Sequence, residues 1–378
     1  MRIVIVGGFE QSNQHSVYPT SAQSNFISKL GSELTKRSHE VFVFTLGGYG
    51  LQGRGLVSEI GESGKPKRIN FLRFANELRG GKVDIVSLQG IFPVNALWLM
   101  TAYKKVVFSP RAAICEEFKL GVKPPWWALL NERISMRSRT IIAVSNVQRD
   151  ALTTKYRTPS SRVYRIPNGV NDLFLSQSEH IGKLRSETSI LFVGAMNPVK
   201  GVDLLLESIN LLRQRAKARL PHVTLVGATQ PWISYGLSAN WFASLRQRYR
   251  RLFDEGTVVH LGSQSQRIIR ELYWGASVLV LPSRFDAFGN VALEAMACGT
   301  PVIVSDKVGV SDLIRDGREG FVIPAGDTKS LVDRLSYLLK HDNERRRMGN
   351  YAKATAATYT WGKTASSYER LFNAILRD

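Results

Sequence analysis

Residues 277–303, SVLVLPSRFDAFGNVALEAMACGTPVI, contain the clearest structural pattern in the chain. The β-branched run that opens the segment predicts a buried strand, and Pro282 predicts the start of a loop. An apolar helix is predicted to begin near Gly289 or Asn290 and to stop at Gly299, before a second strand. A strand, a loop and a helix in this order form the repeating unit of a sheet with helices on both faces.

The same alternation of short β-branched runs and helical segments continues in both directions along the chain. The predicted strands form two series, 3–6, 41–45, 85–88, 106–109 and 141–144, followed by 190–193, 223–226, 258–261, 278–281, 302–304 and 320–323. Two open parallel sheets place ligands at the carboxyl ends of their strands, facing each other across a cleft. The predicted fold class is therefore α/β, with two Rossmann-like, doubly wound domains.

The boundary between the domains is predicted near residues 171–185, where polar residues and glycine replace the apolar pattern. We place the first domain at 1–172 and the second at 173–360. Residues 361–378 form a predicted helix with one apolar face. Its periodicity leaves open whether it packs on the second domain or returns to the first.

The net charge is +20, which attracts polyanions and anionic lipid headgroups. Solubility alone is an equally good explanation, and no nucleic-acid-binding motif accompanies the charge. Residues 118–127 interleave Lys with Phe and Trp, as either a membrane-interface segment or a loop before a core helix would. No apolar run reaches the roughly 18 residues of a spanning helix. We therefore expect a cytoplasmic protein, free or peripheral on the inner face of the membrane, that does not bind nucleic acid.

Metal chemistry has little support in the sequence. The chain contains two cysteines, Cys115 and Cys298, without partner spacing, and its six histidines are scattered. It also lacks an Asp-x-Asp pair that would hold a divalent metal against a diphosphate. The expected chemistry needs no metal or cofactor, and both cysteines are expected in the core.

Asp286 and Glu294 are two carboxylates close to the start of the predicted helix, an arrangement that suits hydroxyl recognition. Free amides at a helix start bind anions, so Phe288, Gly289 and Asn290 are candidates to hold a sugar or phosphate oxygen. The structural alternative makes Asp286 a capping carboxylate and Glu294 a charge that interacts with the helix dipole.

With Asp286 as its first acid and Glu294 as its second, the segment resembles the E-x7-E signature of glycosyltransferase family 4, a retaining family with the GT-B fold. Pro-Asn-Gly-Val at 167–170 and Asp-Gly-Arg-Glu-Gly-Phe-Val at 316–322 are also similar to family motifs. The resemblance covers most of the chain. It implies that Asp286 and residues 288–290 contact the donor sugar and that Glu294 binds the ribose.

A second family motif lies between Gly194 and Lys200, where a strand, a tight turn and a helix start make a natural phosphate cradle. Lys200 is expected to reach the donor diphosphate. The family has an arginine five residues earlier, and this chain has Ala195. Ser-Pro-Arg at 109–111 resembles a subgroup of bacterial polysaccharide-assembly transferases, and we interpret Arg111 as the replacement cation. Ser21 corresponds to the family's Gly-Gly turn and is expected to cap the first helix at the donor site.

The resemblance implies a metal-independent hexosyltransferase with Asp286, Lys200 and Arg111 as catalytic residues. Its donor is a nucleotide diphosphate sugar, and its acceptor is a saccharide or lipid-linked saccharide of the bacterial cell surface. Two alternatives stay open. One is a non-catalytic sugar-nucleotide-binding protein, and the other is a GT-B enzyme of another type, such as an epimerase or an inverting transferase.

Overall fold

The computed structural model describes most of the chain. The described residues are 1–6, 22–45, 56–60, 66–69, 80, 83–90, 105–110, 116, 119–120, 126–176, 189–215, 221–229 and 240–378. Two sheets, each with helices packed against it, account for nearly all of them.

The first sheet contains eight strands in the order β4-β3-β2-β1-β5-β6-β7-β8. Their bounds are β1 Arg2–Val6, β2 Glu40–Thr45, β3 Leu56–Ile60, β4 Pro66–Ile69, β5 Ile85–Gln89, β6 Val106–Ser109, β7 Thr140–Ala143 and β8 Val163–Arg165. The five predicted strands are present and parallel. The sheet is nevertheless not wholly parallel, because β3 runs antiparallel to both β2 and β4.

The second sheet contains six strands in the order β11-β10-β9-β12-β13-β14, and all of its pairings are parallel. The bounds are β9 Ser189–Val193, β10 His222–Val226, β11 Val258–His260, β12 Val278–Leu281, β13 Val302–Ser305 and β14 Gly320–Ile323. Every one of these strands was predicted. The central strands are buried on both faces, which is why they form continuous apolar runs.

Helices cover both sheets, and several begin at a side-chain cap of the expected type. The described α-helices are α1 Ala22–Thr35, α2 Trp126–Ser135, α3 Asn146–Tyr156, α4 Asp172–Leu175, α5 Val202–Arg215, α6 Trp241–Arg248, α7 Arg250–Asp254, α8 Gln266–Gly275, α9 Asn290–Ala297, α10 Thr328–Lys340, α11 Asp342–Ala356 and α12 Trp361–Arg377. Ser145, Asp327 and Thr360 accept from amides in the first turns of α3, α10 and α12.

The last helix, α12, packs on the first sheet and not on the second. Tyr368 and Phe372 are fully buried in one cluster with Phe26 of α1 and strands β1, β2 and β5. His39 lies 2.9 Å from the carboxylate of Glu369 and helps to hold α12 against the first domain. The first sheet is therefore covered in part by residues more than 300 positions further along the chain.

The chain passes from the first sheet to the second between β8 and β9, an interval that contains the predicted boundary at residue 172. Residues 177–188 of that interval lie outside the described ranges, and the boundary itself stays a prediction. The two sheets are not independent in packing. One cluster of buried apolar side chains contains Phe108 and Leu152 from the first domain together with Leu279 and Phe288 from the second.

Candidate functional site

The loop between β12 and α9 is held in place by its own main chain. The Asp286 amide donates to the Lys307 carbonyl at 2.9 Å, and the Gly309 amide donates to the Asp286 carbonyl at 2.9 Å. The Val310 amide donates to the Phe288 carbonyl at 2.5 Å. These bonds hold the loop against residues 307–310. They fix the main chain at Asp286 and so define where its side chain starts.

Helix α9 begins at Asn290 because Gly289 turns the chain in the left-handed conformation, with φ of 85°. A Cβ at this position would lie 2.5 Å from Cγ1 of Val308. Glycine alone therefore fits both the backbone angle and the space. The predicted helix start is confirmed.

Both carboxylate oxygens of Asp286 accept hydrogen bonds from other groups of the protein. Oδ1 accepts from the amides of Phe288 at 3.2 Å and Gly289 at 2.9 Å. Oδ2 lies 2.6 Å from Nζ of Lys200. The capping interpretation of Asp286 is thus observed, and it differs from the expectation of free amides at residues 288 and 289, since both donate to Asp286.

Lys200 reaches Asp286 from the turn that follows β9. Gly194 ends the strand with its amide bonded to the Val226 carbonyl at 2.9 Å. Asn197 then accepts from the Lys200 amide at 3.0 Å and caps the short helix at residues 198–200. The Lys200 and Asp286 side chains are only 27% and 17% exposed. A charge-assisted bond in this setting is stronger than a surface pair, so any anion that binds Lys200 competes with Asp286.

The arginine missing at Ala195 is not replaced by the arginine on the neighbouring loop. The guanidinium of Arg284 makes a two-point pair with Asp203, at 2.7 and 2.9 Å, and also donates to the Pro198 carbonyl. Moving it to a phosphate would break this pair. Two other predicted site residues, Arg111 and Ser21, lie outside the described residues.

Glu294 lies in α9 against α8, where the buried hydroxyl of Tyr273 donates to its Oε2 at 3.0 Å. Burial raises the pKa of Glu294 to about 7, while the hydrogen bond from Tyr273 acts in the opposite direction. From the sequence alone, Glu294 is considered only as an ionised carboxylate, which accepts hydrogen bonds but cannot donate them. A pKa near 7 changes this, because part of the population carries a proton at neutral pH and can donate as well.

Contacts between the domains converge on the same loop and helix. Oγ of Ser145, at the start of α3, donates to the Ala287 carbonyl at 2.6 Å. Asn168 donates to Oδ1 of Asn290 at 2.9 Å. The Asn146 amide donates to the carboxylate of Asp312 at 2.7 Å.

Sequence reasoning did not single out any of the three residues Ser145, Asn168 and Asp312. Asn168 could have been found, since it belongs to the Pro-Asn-Gly-Val motif that indicates the family. Ser145 carries only the signal of a helix cap, and nothing in the sequence indicates that a serine at this cap would also reach across to the other domain.

Within the described ranges, no group of three or more His, Cys, Asp or Glu side chains could hold a metal ion. Cys298 is buried, and burial raises the pKa of its thiol to about 12, so it is a core residue as predicted. Cys115 falls outside those ranges. None of the helices in the described part of the chain is long and apolar enough to cross a membrane.

Two family models match the chain, one in each half. Residues 23–172 match the model described as Glycosyltransferase Family 4, and residues 176–355 match Glycosyl transferases group 1. The D-inositol 3-phosphate glycosyltransferase of Nocardia farcinica is 29% identical over 242 residues, 62% of this chain and 52% of that protein. An uncharacterized glycosyltransferase of Methanocaldococcus jannaschii is 29% identical over 247 residues, 62% of this chain and 60% of that protein. The chain thus spans little more than half the length of these relatives.

Solved structures agree with the architecture along the full chain. Sucrose-phosphate synthase from Thermosynechococcus elongatus matches with a TM-score of 0.78 at 18% identity, over 100% of both chains. The Anabaena protein HepE in complex with UDP-glucose matches with a TM-score of 0.72 at 16% identity, over 99% of this chain and 100% of that one. At these identities the likeness concerns the fold. Together with the family models over both halves, it shows that the chain belongs to glycosyltransferase family 4, with the two-domain GT-B fold.

Proposed function

We propose that the chain is a retaining glycosyltransferase that moves a sugar from a nucleotide diphosphate sugar to a hydroxyl of a saccharide or lipid-linked saccharide, in assembly of a bacterial cell-surface polysaccharide. The observation that supports this proposal most strongly is the ion pair between Lys200 and Asp286 beside the start of α9. A cation and helix amides at one point suit a diphosphate that departs with its negative charge.

In the proposed reaction, the bond from the anomeric carbon to the diphosphate oxygen breaks, and a bond from that carbon to the acceptor oxygen forms on the same face. The departing phosphate oxygen takes the acceptor proton, so the protein supplies no general base. Lys200 stabilises the charge on the diphosphate, and Arg111 is the proposed second cation. Asp286 positions the sugar.

Donor binding in this proposal requires an exchange of partners. The amides of Phe288 and Gly289 donate to Asp286 in the structure. A donor oxygen that accepts from these amides or from Asn290 must displace the carboxylate. Glu294 takes the ribose hydroxyls, with Gly194 and Ser21 on the diphosphate side. The reaction is proposed to need no metal or cofactor.

The proposed location is the cytoplasm, at the inner face of the membrane. The net charge of +20 supports contact with anionic lipids, and a lipid-linked acceptor would be presented there. No nucleic-acid partner is proposed.

Thermal-shift measurements with UDP-, GDP- and ADP-sugars identify the donor, because selective binding to the folded state raises the melting temperature. Donor hydrolysis and transfer are then measured with the selected sugar nucleotide. Asp286→Asn and Lys200→Ala are expected to lose most of the rate. NMR of the product gives the anomeric configuration, and an inverted product would overturn retention.

Lys307→Ala is a matched control for Lys200→Ala. Lys307 lies in the adjoining loop, but its ammonium is 3.6 Å from Asp306, and only its main-chain carbonyl contacts Asp286. The control should keep wild-type activity. Full activity in both Asp286→Asn and Lys200→Ala would overturn the site assignment.

A non-catalytic sugar-nucleotide-binding protein is the second candidate. It is favoured because both carboxylate oxygens of Asp286 already accept hydrogen bonds from the protein, and because Ala195 stands where the family motif has an arginine. Selective thermal stabilisation by one donor, without hydrolysis or transfer to any saccharide tested, would support this candidate over the first.

A further inference from the structure

A second concentration of positive charge lies on the first domain, at the end of its sheet opposite to the donor loop. Helix α2 ends just before β7 begins, and α3 ends just before β8 begins. The carboxyl ends of both helices therefore lie at the amino ends of these strands. A cavity of about 520 Å³ opens there, lined by Arg133, Met136, Arg137, Lys155, Tyr156 and Arg157.

The four basic side chains of this cavity, Arg133, Arg137, Lys155 and Arg157, are exposed and form no ion pair or side-chain hydrogen bond with any residue that the structure describes. The segment 126–165 contains eight Lys and Arg against two acids. Each of the two acids has a partner in the structure. Glu132 is buried and accepts from the Tyr156 hydroxyl at 2.5 Å, and Asp150 pairs with Arg149.

Helix dipoles explain only part of this cluster. A cation in the last turn of a helix is mildly stabilising, which accounts for Arg133 in α2 and Lys155 in α3. Arg137 and Arg157 lie beyond the helix ends. Arg157 also adopts the left-handed conformation, with φ of 50°, which is costly for a residue other than glycine. Four like charges around one cavity repel one another, so an anion that enters it relieves this repulsion.

Apolar groups beside the cations distinguish a membrane surface from a soluble anion. Leu130 is 40% exposed and lies one turn before Arg133, so the two side chains share a face of α2. Tyr164 is 45% exposed on the edge strand β8, between the exposed Arg162 and Arg165. Cations next to exposed Leu and Tyr are typical of surfaces that lie at a bilayer interface.

We propose that the cavity bounded by Arg133, Arg137, Lys155 and Arg157 binds a phosphate-bearing headgroup of an anionic membrane lipid and anchors this end of the first domain to the bilayer. The inference deepens the proposed peripheral location by naming the surface. Helix α3, with 11 residues and a length of about 16 Å, separates the cavity from the contact of Ser145 with the donor loop. The anchor is therefore distinct from the donor site.

Sedimentation of the full chain with phosphatidylglycerol–phosphatidylcholine vesicles tests the proposal. The triple variant Arg133→Gln, Arg137→Gln, Lys155→Gln should bind these vesicles roughly a hundredfold more weakly than the wild type, since each cation near the surface contributes to the partition. Pure phosphatidylcholine vesicles should bind neither protein. Leu130→Ser should weaken binding even at high salt, where the charges are screened.

A control with the same total charge is Lys329→Gln, Lys340→Gln, Arg346→Gln, three exposed cations of α10 and α11 in the second domain. It should bind like the wild type. An equal loss in the control, or no loss in the triple variant, would overturn the proposal. A thermal shift with inorganic phosphate that disappears in the triple variant, without vesicle binding by the wild type, would assign the cavity to a soluble phosphate and overturn the lipid. The vesicle assay contains no sugar nucleotide. A negative result would therefore overturn the lipid-binding proposal without contradicting the proposed glycosyl transfer.

Discussion

Replacing Glu294 with Gln should stabilise the protein at pH 8 and stabilise it much less at pH 5. The amide still accepts from Tyr273, but it has no proton to lose. Burial raises the pKa of Glu294 to about 7 in the folded state, against 4.5 for an ordinary glutamate. The folded state therefore binds the proton more tightly than the unfolded state does, and the wild type loses stability as the pH rises from about 4.5 to about 7.

The size of the effect follows from the difference between the two pKa values. A difference of about 2.5 units corresponds to about 3 kcal/mol at 1.36 kcal/mol per unit. With about 2.1 cal/mol/K of unfolding entropy per residue, this free energy moves the melting midpoint of a chain of this length by about 4 °C. Melting curves of the wild type and Glu294→Gln at pH 5 and pH 8 measure it. The expected result is a midpoint difference of about 4 °C at pH 8 and of about 1 °C at pH 5.

The reasoning is refuted if the two proteins keep the same difference in midpoint at both pH values. Donor binding gives a second readout, since the proposed role of Glu294 is to accept from ribose hydroxyls. Glu294→Gln should weaken donor binding at pH 8 while it raises the melting midpoint. A variant that gains stability and loses affinity separates this role from a structural one, which would lower both.

Three further changes have expected outcomes. Gly289→Ala should lower the free energy of unfolding by about 1–3 kcal/mol and abolish donor binding, because a Cβ would overlap Val308 at a left-handed φ. Denaturant titrations measure the loss of stability. Gly317→Ala is the milder control, since Gly317 has a φ of 79° but no atom within 4 Å of the added Cβ. Ser145→Ala should cost about 1 kcal/mol and raise the KM for the donor, because the hydroxyl both caps α3 and binds the Ala287 carbonyl, and an unchanged KM would contradict the second role. Excess EDTA should leave the transfer rate unchanged, and a loss restored by Mg²⁺ would contradict metal independence.

Burial on two faces made the second sheet predictable. Most of its strand residues are apolar, with polar residues such as Ser189, His222 and His260 at strand ends, and the strands give clear runs such as 278–281. The strands missed in the first sheet are β3, LVSEI, β4, PKRI, and β8, VYR, which are short and carry charged or polar residues. β4 and β8 lie at the sheet edges, where one side of the strand meets no partner and the sequence needs no apolar run, and β3 pairs with β2 and with the edge strand β4.

The location of the site could be predicted from the sequence. The protonation of Glu294 and the partners of Asp286 could not. The spacing of Asp286 and Glu294 and the turn before Lys200 follow from local sequence. The raised pKa of Glu294 does not, because it depends on burial and on Tyr273 in another helix. The internal use of Asp286 likewise depends on Lys200, 86 positions earlier, and on how far one carboxylate reaches.

The packing of α12 against α1 has a consequence for biosynthesis. While the chain is still emerging from a ribosome, the first domain lacks Tyr368 and Phe372, and the apolar side chains that they cover stay open to water or to a chaperone. The second sheet is complete once β14 has been made, and its helices end at Ala356. Domains commonly mature in the order of their synthesis. Here the half that is made first must wait for the last 17 residues of helix before its interior closes, so a message truncated before codon 361 would yield a finished second domain attached to an unfinished first one.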